Sequence, residues 1–558
     1  MPHATLPTPN LQALILCGPG ISLNTFTSNP SDLPKALLPV ANRPMVWYPL
    51  NWLYRTGITD ITLITPPESA GPLESALATN PALTALKVRP EVLAPRHLLQ
   101  TTGTGELLRL PEVQACVRGD FVVVPCDFVC EVEGTRVLQQ WMTLNPLSSS
   151  TSMGQKKRKG GMAIFYPTHG LEGISTKKDE SDFLATVPIA KPAVPAPAGS
   201  LREGVEEVVL NMPTDTLNDK VEEGKGFLRL RQSLMERHGR VKMRMKHRDA
   251  GVYFFPFWVK AFAARNEKFD SISEDLLGWW AKAGWQEGLG EKLGLREVLE
   301  GEAKGEEMES PEAEDEIDVT QLSSTKVSWP SSSQQPAPPF ASRVGPLAPP
   351  SHSPLTIPPL LAYIQPAAES SIPLIRRVDT TPQLLTISLH LAKTQPPSLA
   401  HDSKIHPSAT LEQQARVSQE DCLVGENVKL GFRSNVKESV IGANCEIGRN
   451  VRLTRCLLME GCVVGDGVVM SGCVVGRRAR VEGMKGAATE FATRAGEKKG
   501  KAPADDNEDE RTKLTDCEVA PNYVVEAGTE AKGEKLMGFD TEGGEDLGME
   551  GEDEDAED

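Results

Sequence analysis

The chain lacks a basic excess, long apolar runs and closely spaced cysteines, and each absence closes off a class of function. Its 558 residues carry 59 Lys and Arg against 76 Asp and Glu, a net charge of −17. That balance argues against general nucleic-acid binding and against attraction to anionic membranes. Residues 538–558 hold eleven carboxylates and no base, so most of the excess sits in one stretch that reads as a solvated, disordered tail. The first apolar run, residues 11–17, has no basic region ahead of it and falls well short of the ~20 residues of a membrane span. No later run is long enough either, so the chain is expected to be soluble, cytosolic and not secreted. Ten cysteines without a framework of tight spacings read as reduced thiols rather than disulfides.

At ~100–200 residues per domain the length predicts two or three folded units plus connectors. Residues 10–290 read as α/β, with β-type runs at 13–16, 58–65, 121–124 and 252–255 alternating with helical stretches such as 43–56. Apolar strands separated by helices predict a mostly parallel sheet covered on both faces. Ligands of such sheets bind beyond the strand C-termini. A loop insertion is expected at 145–161; its basic run Lys156-Lys157-Arg158-Lys159 reads as a solvated loop, with an anionic-partner or nuclear-import patch as the sharper alternative. In residues 240–248, basic side chains alternate with Val241, Met243 and Met245, the pattern of a half-exposed strand. Residues 299–356 are Glu-rich, then Ser- and Pro-rich, and predict a disordered linker. A connector at 357–400 follows, with a helix expected over 381–393.

Residues 401–536 carry the strongest pattern. Aliphatic residues recur at Val424, Leu430 and Val436, then Ile441, Ile447 and Leu453, then Leu458, Val464 and Met470, then Val475 and Val481, many of them followed by glycine. The phase of 17 residues per three hexads is the mark of a left-handed parallel β-helix, in which every sixth side chain points inward and coils stack ~4.8 Å apart. The rhythm is expected to begin at Ile405, Leu411 and Val417, to break at a charged insertion over 486–511, and to resume at 514–529. The core positions predicted are Val424, Leu430, Ile441, Ile447, Leu458, Val464, Val475 and Val481. Cys445 and Cys462, like Cys456 and Cys473, keep the 17-residue phase. They read as small apolar fillers, a stacked metal site being the alternative.

The remaining motif lies near the start: Leu16-Cys-Gly-Pro-Gly-Ile-Ser-Leu23, then Leu33-Pro-Lys-Ala-Leu-Leu-Pro39. Glycines after a strand let backbone N–H groups approach phosphates, and basic side chains hold charge developing on a leaving pyrophosphate. The order strand, glycine loop, Pro-Lys, helix resembles the nucleotidyltransferases that make nucleotide sugars, whose signature is Gly-Gly-x-Gly-x-Arg-Leu followed by Pro-Lys-x-Leu-Leu-Pro. Gly18, Gly20, Leu23 and Lys35 match it, whereas Cys17 replaces the first glycine and Ser22 the arginine. Serine cannot supply the bidentate guanidinium clamp on phosphate. Asp127 matches that family's metal-binding aspartate; a second carboxylate and a Glu-Lys-Pro element on the sugar side have no clear counterparts, residues 269–275 reading as helical.

A degraded nucleotidyltransferase-like domain joined to a left-handed β-helix resembles sugar-nucleotide pyrophosphorylases with their regulatory relatives, and the gamma and epsilon subunits of eukaryotic translation initiation factor 2B. The stretches Trp47-Tyr-Pro-Leu-Asn51, Thr102-Gly-Thr-Gly-Glu106, Asp249-Ala-Gly-Val-Tyr253 and Ser271-Ile-Ser273 favour the gamma-subunit family. No helical-repeat exchange domain of the epsilon kind fits the sequence after Leu536. The resemblance implies a non-catalytic subunit of a guanine-nucleotide exchange complex, paired with epsilon and with the alpha, beta and delta subunits, acting on the GTPase initiation factor 2. It implies no cofactor, no metal, no nucleic acid and no membrane. Gly18, Gly20, Ser22, Lys35 and Asp127 would be vestigial pocket positions. The alternative is a mannose-1-phosphate guanylyltransferase or its regulatory subunit, and a third possibility is a remnant pocket that binds a nucleotide through Gly18, Gly20, Lys35 and Asp127 without turning it over.

Overall fold

The computed structural model describes residues 9–18, 21–86, 89–99, 101–145, 159–171, 173–174, 180–191, 194–197, 199–306, 355–367, 372–483 and 511–538. Gly20, Lys156 to Arg158, most of the 299–356 linker, the insertion at 486–510 and the tail from 539 lie outside the described residues.

The α/β part is built on a nine-stranded sheet. In chain order its strands, with two short ribbons, are β1 (Gln12–Leu16), β2 (Pro39–Val40), β3 (Arg43–Pro44), β4 (Asp60–Ile64), β5 (Glu91–Leu93), β6 (Phe121–Pro125), β7 (Phe128–Cys130), β8 (Gly161–Pro167), β9 (Asp182–Pro188), β10 (Val205–Pro213), β11 (Lys242–Phe255), β12 (Leu360–Ile364) and β13 (Ile375–Arg377). The sheet order is β5-β4-β1-β6-β11-β8-β12-β10-β9, and β11 also pairs with β9. The four strands β5, β4, β1 and β6 run parallel; β1, β4 and β6 are buried along nearly their whole length, as strands covered on both faces are, and β5 is the half-exposed edge. The other half is mixed, because β11 and β10 run antiparallel to their neighbours. Since β11 is long enough to pair with both β8 and β9, the last five strands close into a ring.

Two features add to the sequence reading. Residues 357–400 are built into the front domain: β12 lies inside the sheet between β8 and β10, β13 pairs with β7, and the helix Thr381–Thr394 is packed into the buried core. The helix expected over 43–56 occupies only Trp47–Thr56. Ala41 and Asn42 are left-handed, with φ of 44° and 62°, and turn β2 back onto β3 as a hairpin.

The C-terminal part is a three-sided parallel coil consistent with a left-handed β-helix, six strands to each side. Val424, Ile441, Leu458 and Val475 stack in register, as do Leu430, Ile447, Val464 and Val481. All eight are buried in one interior cluster. The first coil is wider, since Thr410 pairs with Lys429 and Arg416 with Asn435, and its Leu411 is 48% exposed. After the insertion, Val469 pairs with Lys513 and the stack resumes. Glycine after the aliphatic residue has a steric cause: a Cβ on Gly442 would lie 2.7 Å from the backbone of the next coil at Met459 and Glu460.

One side of the coil has apolar doublets, Leu423-Val424, Val440-Ile441, Leu457-Leu458 and Val474-Val475. Strand alternation sends the second residue inward and the first outward. The outward Leu423, Val440, Leu457 and Val474 belong to the same buried cluster as the α/β core, so this side is docked on the front domain.

Candidate functional site

Asp127 follows β6 at the C-terminal edge of the parallel half, where the sheet places ligand-binding loops. Its side chain is 1% exposed and is bound by two cations. Lys35 Nζ lies 2.7 Å from Oδ2; Arg377, at the end of β13, donates from Nε to Oδ1 at 3.1 Å and from Nη2 to Oδ2 at 3.2 Å. The Val378 N–H also donates to the Asp127 carbonyl at 2.9 Å. Burial alone would raise the carboxyl, but Arg377 and Lys35 hold it well below the usual carboxylate range. Lys35 is raised in turn: burial and the charge of Arg377 lower it, and the charge and hydrogen bond of Asp127, with Cys126, together outweigh them.

Around this clamp lies a second ring of charge. Arg248 on β11 donates to the Asp379 carboxylate at 2.6 Å, and Ser22 Oγ donates to the Asp379 carbonyl. Serine at the position of the family's arginine therefore touches the connector. Gly18 is exposed, with open space where a Cβ would stand. Cys17 is buried behind it against Cys126; its thiol is raised by the hydrogen bond it gives to that partner and by burial.

The structure also places a carboxylate pair that the sequence reading did not find. Asp249 on β11 accepts hydrogen bonds from Tyr253 Oη at 2.7 Å, Ser273 Oγ at 2.9 Å and the Gly251 N–H at 2.8 Å. Burial raises its carboxyl, the three donors and the charge of Arg377 acting against that. Asp182 accepts the Asp249 N–H at 2.7 Å and is pushed up to about 7 by burial and then by the charge of Asp249. The earlier candidate, residues 269–275, caps a π-helical turn at Ile272–Leu276: Asp275 accepts the N–H groups of Asp270 and Ser271 at 2.9 and 3.0 Å. Among the described residues no three His, Cys, Asp or Glu side chains converge on a point that could hold a metal ion. Lys35 and Asp127 are thus brought together, Ser22 joins them only through Asp379, and Arg377, which completes the clamp, comes from the connector.

The glycine pair at Gly103 and Gly105 serves close packing. The Gly105 N–H donates to the Asp270 carbonyl at 2.8 Å, and a Cβ on Gly103 would overlap that carbonyl at 2.2 Å. In the coil, the thiols of Cys445 and Cys462 donate to the carbonyls of Met459 and Gly476 at 3.1 and 3.0 Å.

Three comparisons bear on identity. The family described as GMPPB C-terminal domain matches residues 406–489. The translation initiation factor eIF2B subunit gamma of Schizosaccharomyces pombe is 27% identical over 288 residues, 52% of this chain and 55% of that protein. The subunit of the same name from Caenorhabditis elegans is 30% identical over 122 residues, 22% of this chain and 28% of that protein. The chain thus spans about half the length of the first relative and less of the second. By sequence it is similar to the gamma subunits of translation initiation factor eIF2B, with a C-terminal coil similar to the GMPPB C-terminal domain.

Proposed function

We propose that the protein is a non-catalytic subunit of an eIF2B-type guanine-nucleotide exchange complex, pairing with an epsilon subunit and supporting GDP-to-GTP exchange on initiation factor 2 alongside alpha, beta and delta subunits. Likeness to gamma subunits supplies the complex. The observation that carries the non-catalytic part is the state of Asp127. A transferase would need this carboxylate for Mg²⁺ and Lys35 for phosphate; here each neutralises the other, and Arg377 covers the remaining oxygen. One carboxylate holds Mg²⁺ weakly without phosphate help, and a guanidinium already bidentate on it leaves little to bind. An exchange factor needs no such chemistry: it works by binding the rearranged or nucleotide-free GTPase more tightly than the nucleotide-bound form.

The test is reconstitution. Co-expressed with an epsilon subunit, the chain should co-purify stoichiometrically and raise the rate of GDP release from initiation factor 2 above that of epsilon alone. The isolated chain, given GTP, a hexose 1-phosphate and Mg²⁺, should release no pyrophosphate. Pyrophosphate turnover would instead favour the second reading, a mannose-1-phosphate guanylyltransferase or its regulatory subunit, which takes its support from the match of residues 406–489 to the GMPPB C-terminal domain.

A further inference from the structure

In a chain of net charge −17, residues 225–248 carry nine Lys and Arg against one carboxylate, Glu236. The structure separates these cations by role. Lys242 and Arg244 pair with Glu206 inside the strand ring, and Arg248 pairs with Asp379. The other six, Lys225, Arg229, Arg231, Arg237, Arg240 and Lys246, are exposed and have no ion-pair partner among the described residues.

The same stretch exposes large apolar side chains: Phe227 is 76% exposed, Met235 49%, Met243 49% and Met245 55%. Their directions follow from how the segment is anchored. The helix Gln232–Arg237 buries Leu234 in a small cluster with Met212, Leu217 and Trp285, which leaves Met235 outward. On β11, Met243 and Met245 alternate with Lys242 and Arg244, whose heads go to Glu206, so the two methionines project from the opposite face. The adjoining helix Leu277–Ala283 adds Trp279, 38% exposed, with the Lys282 ammonium 4.6 Å from its ring centre. Lys282 is lowered first by burial and then by the charges of Lys220 and Arg231, which puts these three cations in one neighbourhood. The carboxylates near this face are Glu236 on the helix Gln232–Arg237 itself, Asp275, whose charge opposes the lowering of Lys282, Glu207 within reach of Arg237, and, at one edge, Asp215, Asp219, Glu222 and Glu223 on the helix Thr214–Glu223; the cations of 225–246 outnumber those within their own segment.

We propose that this face, formed by residues 225–246 and the Trp279 edge, is a docking surface for an acidic segment of a partner protein bearing apolar anchor side chains. Charge complementarity sets the acidic requirement, because unpaired like charges held on one face repel one another until counter-charge arrives. The apolar requirement follows from residue type. Phe, Trp, Met and Arg are enriched in protein interfaces while Lys is depleted, and four of the six exposed cations are Arg. Methionine adapts its shape to a protein side chain, whereas single-stranded nucleic acid binds on aromatic stacking platforms, and three of the five exposed apolar side chains here are Met.

The test uses the full-length chain and a short fluorescein-labelled peptide alternating Glu and Asp with Leu and Phe, read by fluorescence anisotropy. Binding should weaken between about 50 and 300 mM NaCl as exposed charges are screened. Combined Arg229→Glu, Arg231→Glu and Arg240→Glu should weaken it by about tenfold or more and flatten the salt response. Met243→Ser with Met245→Ser should weaken it by about tenfold with the salt response kept, and so should a peptide whose Leu and Phe are Ser. These positions are exposed, and circular dichroism should show both variants folded. The proposal is overturned by absence of binding, by indifference to both sets of substitutions, or by an oligo(A) RNA of equal length binding as tightly as the peptide. Binding that appears only once residues 539–558 are removed would assign the face to the chain's own acidic tail and overturn it equally.

Discussion

At the scale of single residues, the decisive feature is which charges are paired inside. Asp127 is 1% exposed and Lys35 11%, so Asp127→Asn leaves two cations facing a neutral amide in a poorly hydrated place. Breaking a buried ion pair from one side costs roughly 3–5 kcal/mol, and urea unfolding of the variant should show a loss of that order. Asp182 works in the opposite sense. Its carboxyl, pushed up to about 7, binds its proton more tightly folded than unfolded, where the value is ~3.9. This group's contribution to stability is therefore full below about pH 4 and is lost as pH rises toward 7. Asp127, depressed in the fold, stabilises above its unfolded value and is lost only as pH falls below it. Urea unfolding from pH 5 to 8 should show Asp182→Asn more stable than the parent at pH 8, with that part of the slope gone. Lys35 and Asp127 were singled out through their Pro-Lys and Pro-Cys-Asp contexts, and the structure places Lys35, at the start of the turn Lys35–Leu37, against Asp127 just after β6. Arg377 was not, because its partner lies 250 residues earlier. The local hint was two consecutive arginines, Arg376 and Arg377, in a run otherwise made of Leu374, Ile375 and Val378. Charges in a short apolar strand imply a buried counter-charge. Asp249 was equally hidden: it stands at the change from basic to apolar residues along β11, and only the fold reveals Tyr253, Ser273 and Asp182 around it.

At the scale of elements, the coil was legible because its period is local: the 17-residue phase needs no distant contact to be seen. The first coil was legible at Ile405, Leu411 and Val417, which pair with Val424, Leu430 and Val436; what the period could not supply was its greater length, 19 residues from Leu411 to Leu430 against 17 in the coils that follow. The connector strand β12 was legible as an apolar run but not as a strand of the main sheet. Leu360–Ile364 is all buried between β8 and β10, and an apolar run of five residues does not reveal which strands it pairs with. The glycines of the coil give the sharpest element-scale prediction. At Gly442 a side chain has no flexible neighbour to displace, only backbone of the next coil. Gly442→Val should therefore separate two coils and cost about 2–4 kcal/mol by overpacking and lost ladder hydrogen bonds. Chemical denaturation monitored by far-ultraviolet circular dichroism measures it, and a loss under half that range would show that the coils can part cheaply there.

At the scale of the whole molecule, the question is whether the two parts fold as one. The buried cluster of the front domain runs without a break into Leu423, Val440, Leu457, Met459 and Val474 of the coil. The β2–β3 hairpin reaches the seam: Asn42 Nδ2 donates to the Ile441 carbonyl of the coil at 2.8 Å, and Arg43, lying 4.1 Å over the Trp47 ring, donates to the carbonyls of Leu399 and Ala400, where the connector enters the coil, at 2.9 and 2.7 Å. The sequence from Lys35 to Asn51 thus joins the Asp127 clamp to the coil, which explains why most of its apolar residues are buried and its polar Lys35, Asn42 and Arg43 are half-buried. A continuous apolar seam couples unfolding of its two sides, in contrast to the looser interfaces usual between domains. The parent should therefore melt in one calorimetric transition. Leu457 points out of the coil into the seam while Leu458 points inward, so the two neighbours separate docking from coil stability. Leu457→Asp combined with Arg43→Ala should split the trace into two transitions, each part retaining its own fold, because a carboxylate at 0% exposure cannot remain buried unpaired and the interface opens to hydrate it. Leu458→Asp should instead leave the coil unfolded from the start, so that one transition of smaller enthalpy, that of the front domain, remains. A single transition, merely lowered, in the Leu457→Asp and Arg43→Ala variant would mean that the seam is held elsewhere.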